Sequence, residues 1–299
     1  MVTQRTVLFA CVTAATVLLA GCAAVGPDFE KPAADVPESW TQPEDEAISS
    51  SPYELVEWWK VFNDPVLDEL VETARVSNNT LAIAGIRVLE AQAQLGVATG
   101  LQYPQVQVAS GAATYVSPPN TAQVTSNHWQ FALGASASWE IDFWGRFRRG
   151  IESADAAFQA SVAAYDQAQV LMTAALVDLY TVIRVTEEQL EISYQNVDIQ
   201  QRSYEIAEVL FNNGADSELD MQQARTLLLS TEATIPGLEI ALAQTRNALS
   251  TLLGKPPGFV GKILAKGSNI PSMPANIAVG IPADMLRRRP DVRQSEYQA

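Results

Sequence analysis

The sequence predicts a mainly α-helical protein interrupted by one β-hairpin long enough to cross a membrane. Three observations predict this. Apolar residues recur every seven positions through long stretches, the signature of coiled-coil helices. Between Gln105 and Ile141 the period drops to two, over strands that exceed the ~9–11 residues a tilted transmembrane strand needs. One helix also carries two apolar stripes on nearly opposite sides, which suits rods standing side by side in a wall; a plain antiparallel coiled coil would leave similar combs.

Composition narrows the function. The chain has 299 residues, 47% of them apolar, room for one large or two ordinary domains. Nineteen Lys and Arg face 34 Asp and Glu, a net charge of −15. That balance excludes nucleic acid as an expected partner, because phosphate neutralisation needs an excess of cations. It also serves solubility directly. A single histidine, His128, reads as a loop residue beside Trp129. With two cysteines and no Gly-rich phosphate loop, no catalytic or metal constellation is visible, and no enzyme activity is expected. A helical scaffold that never enters a membrane is the alternative reading, and it would leave the strict strand alternation unused.

Residues 1–21 read as an export signal. Arg5 is the basic start, Val7 to Leu19 the apolar run, and the run is shorter than a bilayer span of ~20 residues. Leu19-Ala20-Gly21-Cys22 resembles the lipobox of bacterial lipoproteins, which implies a lipid attached to Cys22. An ordinary cleavable signal is the alternative. Ala23, where an Asp would favour retention in the inner membrane, points by the same resemblance to the outer membrane. Residues 22–64, acidic and Pro-rich, are expected to form the acylated tether. No noncovalent cofactor is expected.

Residues 65–102 read as one helix, with Leu67, Ala74, Leu81, Val88 and Leu95 seven apart. Residues 103–142 are the predicted transmembrane hairpin. Val106, Val108, Ser110, Ala112, Thr114 and Val116 form one alternating set, and Trp129, Phe131, Leu133, Ala135, Ala137, Trp139 and Ile141 the set expected to share its apolar face. Tyr103, Tyr115, Trp129, Trp139 and Trp144 fall near the strand ends, as an aromatic membrane belt would. A soluble hairpin lying on its own helices is the alternative. Strands in lipid cannot leave backbone edges unpaired, so membrane insertion demands further strands from a repeat, from other subunits, or from both.

Residues 143–253 read as a long helical hairpin. Its first arm, about Trp144 to Asn212, spans roughly 105 Å at 1.5 Å per residue. Leu176, Ile183, Leu190, Val197, Tyr204 and Phe211 make one comb; Val185, Ile192, Ile199 and Ile206 make the second. Asn213-Gly214 stops it, Ser217 or Asp216 caps the return helix, and Pro236 is expected to bend that helix or break one of its hydrogen bonds. Residues 254–284 form a connector. Residues 285–299 open another helix, whose Arg293, Glu296, Gln298 and Ala299 echo Arg87, Glu90, Gln92 and Ala93. That echo predicts a second copy of the same unit, cut short at Ala299.

Several stretches together resemble the outer-membrane factor family, the outer-membrane channels of efflux and type I secretion systems, and most of all its lipoprotein branch. They are "GCAAVGPDFEKP", "WWKVFNDPVLDELVETARVSNNTLAIAGIRVLEA", "SWEIDFWGRFRRGIESADAA", "FNNGADSELDMQQAR" and "PADMLRRRPDVRQSE", in order along nearly the whole chain. Two departures are the missing second repeat and Asn212-Asn213 at the tip, where the family often has a basic or larger residue. The resemblance implies a homotrimer whose long helices form an α-barrel tunnel continuous with an outer-membrane β-barrel. It implies a passive conduit opened at its periplasmic tip by an adaptor protein working with an inner-membrane pump. Gly214, Ser217, Leu219 and Asp220 match the family's tip pattern and are expected to face the adaptor; building a stable turn would explain three of them equally well. The family's gate residues lie mainly on the second repeat, so none is assigned here.

Overall fold

The computed structural model describes residues 25–30, 48–49, 55–117, 126–267, 269–272, 277–278 and 282–299. Helices α1 (Pro65–Ser77) and α2 (Asn79–Gly100) precede a hairpin of β2 (Val106–Val116) and β3 (His128–Ser138). Helix α3 (Arg146–Asn212) then runs unbroken for 67 residues, followed by α4 (Glu218–Glu232), α5 (Ile235–Leu252) and the short α6 (Phe259–Leu264). Helices α7 (Pro282–Arg288) and α8 (Pro290–Gln298) close the described chain. A two-residue strand β1 (Ile48–Ser49) pairs in parallel with β4 (Ile277–Ala278).

Contacts divide the chain into two compact units. One comprises the described parts of Met1–Ala34, Arg87–Val162 and Gln294–Ala299; the other those of Asp35–Ile86 and Ala163–Arg293. The second unit holds the hydrophobic core. Leu67, Leu70, Ala74 and Leu81 of α1 and α2 are buried there with Leu176, Tyr180 and Ile183 of α3, Leu249 and Leu253 at the end of α5, and Val260 and Leu264 of α6. Each fully buried Leu or Ile contributes roughly 1.5–3 kcal/mol of transfer free energy. Trp59 joins this core from a 3₁₀ helix, Leu55–Phe62. The last part of the stretch read as tether is therefore folded. Trp58 packs edge-on to Phe62, with ring centroids 6.4 Å apart.

The predicted single helix over 65–102 is two helices. Asn78 has an extended backbone (φ −70°, ψ 122°), and its Oδ1 accepts from the Leu81 N–H at 2.7 Å, capping α2. Its Nδ2 donates to the Leu252 carbonyl at 2.7 Å, while the Ser77 hydroxyl donates to the Leu253 carbonyl at 2.7 Å. The carbonyls left over at the end of α5 thus find donors at the α1–α2 break. Gly254 completes the junction at φ +65°; a Cβ there would lie 2.3 Å from the Ser77 carbonyl oxygen.

Of the two outcomes expected at Pro236 the interrupted ladder is found: the return helix divides at Ala233–Thr234, and Pro236 occupies the first turn of α5. There its missing N–H costs nothing, since first-turn donors lack intrahelical partners anyway. The connector expected over 254–284 is partly helical, and α6 buries Val260, Ile263 and Leu264.

A polar chain threads the core. The Tyr180 hydroxyl donates to Asp64 Oδ2 at 2.5 Å, while Asp64 Oδ1 caps α1 by accepting from the Val66 N–H at 2.8 Å. Arg184 lies under Tyr180, its guanidinium 5.0 Å from the ring centroid. It donates to Glu187 at 2.8 Å and to the Leu264 carbonyl at 2.9 Å. Glu187 in turn accepts from Arg246 at 2.6 Å. A buried guanidinium is tolerable because it is paired in this way. Burial pushes the Tyr180 hydroxyl pKa up to about 12, with the bond to Asp64 adding to the effect.

Candidate functional site

In the first unit Ala160 is the one buried apolar residue among those described. Many of its large apolar side chains are open, including Leu89, Val97, Tyr103, Phe131 at 77% exposure and Leu133 at 93%, while Leu95, Phe147 and Phe158 are half-buried. Apolar surface this extensive marks an interaction face.

The hairpin shows what kind. Its antiparallel register runs from Val106 opposite Ser138 to Val116 opposite His128. Directly opposed residues share a face. One face therefore carries Tyr115/Trp129, Ala113/Phe131, Gly111/Leu133, Ala109/Ala135 and Gln107/Ala137. The other carries Thr114/Gln130, Ala112/Ala132, Ser110/Gly134, Val108/Ser136 and Val106/Ser138. This corrects the expected pairing: the Val106 set does not share a face with the Trp129 set. Both sets alternate, but alternation within a strand does not say which partner residue stands opposite.

On the apolar face Tyr115 and Trp129 meet with ring centroids 5.2 Å apart, and Trp129 stacks on Phe131 at 6.3 Å. Gly111 makes room for Leu133, whose Cδ2 would lie 3.4 Å from an added Cβ. His128, read as a loop residue, is the first residue of β3. No Asp, Glu, Lys or Arg occurs from Ala91 to Trp139, in a chain that is 18% charged. The sequence alone carries that gap. Charge resumes at the strand–helix junction, with Glu140–Arg146 at 3.3 Å and Asp142–Arg148 at 3.6 Å.

All five belt candidates are exposed, between 52% and 65%. They divide between the two ends of the hairpin: Tyr115 and Trp129 beside the loop, Tyr103, Trp139 and Trp144 at the helical end. The Trp139 indole N–H donates to the Gln102 carbonyl at 3.0 Å. The levels of Val106 and Tyr115 are nine residues apart, ~30 Å along a strand and ~23 Å at a 40° tilt, near the ~25 Å apolar band of outer-membrane barrels. Beyond the β2–β3 pairing, neither strand has another strand partner among the described residues. Each therefore presents one free backbone edge.

The helical tip is a Schellman turn. The Ala215 N–H donates to the Leu210 carbonyl and the Gly214 N–H to the Phe211 carbonyl, both at 2.9 Å, with Gly214 at φ +72°. Ser217 caps α4, its hydroxyl accepting from the Asp220 N–H at 3.2 Å and bonding the Asp220 carboxylate. That hydroxyl, first of all, holds the Asp220 pKa below the usual carboxylate range. Gly214, Ser217 and Asp220 thus build the turn, while Leu219 stands out from it, 65% exposed. Cys22, the predicted lipid site, lies outside the described residues.

The hairpin and the long helices define a class: long coiled-coil helices joined in sequence to a β-hairpin with unpaired edges. Comparison with known proteins agrees. The chain matches the outer membrane efflux protein family over residues 70–255 and belongs to it. Nodulation protein T of Rhizobium leguminosarum bv. trifolii is 33% identical over 282 residues, covering 94% of this chain and 59% of that protein. The protein named "Probable outer membrane lipoprotein SilC" of Salmonella typhimurium is 29% identical over 284 residues, 94% of this chain and 60% of its own. Among solved structures, the outer-membrane channel OprN superposes with a TM-score of 0.81 at 31% identity, covering 92% of this chain and 61% of that one. The chain thus spans about 60% of the length of these relatives.

Proposed function

We propose that this chain is part of a subunit of an outer-membrane export conduit in a tripartite efflux system. Its hairpin supplies two strands to a transmembrane β-barrel, and its long helices supply part of the wall of a periplasmic tunnel. One observation carries this reading: an uncharged, two-edged hairpin with a single aromatic face, set on helices whose outer stripes are unburied. Free edges cannot sit in hydrocarbon, so copies of the subunit, as a homotrimer, would pair them into a closed barrel.

The aromatic face of Tyr115, Trp129, Phe131 and Leu133 then meets lipid, and the face of Ser110, Thr114, Gln130 and Ser136 lines the water-filled interior. Ile192, Ile199 and Ile206, each at least 47% exposed, form the stripe that a neighbouring helix would cover. Leu219 is the docking contact for a periplasmic adaptor protein, with Gly214, Ser217 and Asp220 shaping the turn that presents it. An inner-membrane pump supplies the energy, and cargo passes without chemical change. A lipid on Cys22 adds a second attachment to the outer membrane.

Fractionation of cells making the full protein tests the reading. The outer-membrane fraction should yield trimers that dissociate only on heating in detergent. Monomers released with the periplasm would instead support the scaffold alternative.

A further inference from the structure

Residues 25–30 are the described segment nearest in sequence to Cys22, and they are fastened at three points to the strand–helix junction. The Val25 N–H donates to the Trp144 carbonyl at 3.1 Å. Arg149 Nη2 donates to the Gly26 carbonyl at 3.2 Å and to Asp28 Oδ1 at 2.6 Å. Its other terminal nitrogen donates to Glu152 at 2.6 Å, which fixes the guanidinium plane on α3. One terminal nitrogen therefore grips a backbone carbonyl and a carboxylate of the N-terminal segment while the other holds the guanidinium to α3, a division of labour for which a lysine has no second nitrogen. Gly26 adopts φ +112°, a conformation L side chains rarely take.

Val25 lies three positions after Cys22, a reach of at most ~11 Å in fully extended chain. Around the fastening point Val25, Phe29, Ile141, Phe143 and Trp144 are all more than half exposed, an apolar collar at the charged end of the hairpin. We infer that Arg149 is a clasp that seats the lipid-bearing N-terminus on the barrel subunit, so that the acyl chains enter the bilayer at the level of the Trp144 collar. Arg149 is a positioning residue here: it sets where the anchor meets the membrane. The inference rests on the proposed membrane hairpin and on acylation of Cys22, and the experiment separates these from the clasp.

A nitroxide on a p-acetylphenylalanine at residue 30, in the full protein within phosphatidylethanolamine–phosphatidylglycerol vesicles, reports both mobility and depth. The expected spectrum is motionally restricted, with oxygen accessibility exceeding that of a water-soluble nickel chelate. Arg149→Gln should lose the restricted component. Asp28→Asn, at a side chain 87% exposed and so outside any core, should lose it in part without disturbing folding. A control nitroxide at residue 217 should not change. Restriction that survives both substitutions, or its absence in the unsubstituted protein, overturns the clasp. Restriction that depends on Arg149 but reports an aqueous depth keeps the clasp and overturns the membrane level. Palmitate labelling of the protein and of Cys22→Ser, run alongside, shows separately whether the acylation reading holds.

Discussion

Two glycines at positive φ illustrate how differently single residues are constrained. Gly214 ends α3 at φ +72° with nothing within 4 Å of an added Cβ, so Gly214→Ala carries only the left-handed penalty, ~1 kcal/mol. Gly254 adds a backbone collision with the Ser77 carbonyl oxygen at 2.3 Å, and Gly254→Ala should cost ~3 kcal/mol or more. Denaturant titration of the two variants in detergent should rank them in that order; equal losses would contradict the junction geometry. Tyr180 offers a second test. Its pKa rises from 10.0 to about 12 on folding, because burial disfavours the phenolate. The associated stability is complete below pH 10 and is lost as pH climbs toward 12. One tyrosine should thus titrate late by ultraviolet absorbance. Tyr180→Phe should remove that late step and flatten the fall in stability over the same window; a profile unchanged by the substitution would refute it.

At the scale of elements, repeating patterns were legible in the sequence and single-residue events were not. The comb Leu67, Ala74, Leu81 continues across the break at Asn78, since one extended residue can leave the same side chains facing the core. The cap that makes the break depends on carbonyls of Leu252 and Leu253, far away in the chain. Hairpin length and strand ends could be read from the period of two, but register could not, and with it went the assignment of faces. The tip turn was legible because Gly214 and Ser217 act locally. The Arg149 clasp was not, for its partners lie more than 120 residues away. The corrected register makes its own prediction. Leu133→Lys places a charge on the lipid face and should cost ~2–4 kcal/mol near the bilayer midplane, while Ser136→Lys, facing the interior, should cost far less. Trimer yield in the outer membrane reads the difference. Equal yields, or the opposite order, would return the Trp129 set to the interior.

The molecule as a whole is organised by an uneven distribution of burial and charge. Its core and buried polar network lie in one unit. The other combines a charge-free hairpin with apolar surface that the chain does not cover. This division fits a subunit whose hairpin-bearing first unit completes itself only with lipid and with further strands. Amide hydrogen exchange of residues 106–116 and 128–138 in outer-membrane vesicles tests that claim most directly, because a β-strand with both edges paired protects every amide and one with a free edge does not. In a closed barrel, exchange should be slow on every residue of both strands. Rapid exchange at alternate amides, or at all of them, would show edges open to water and would contradict the barrel.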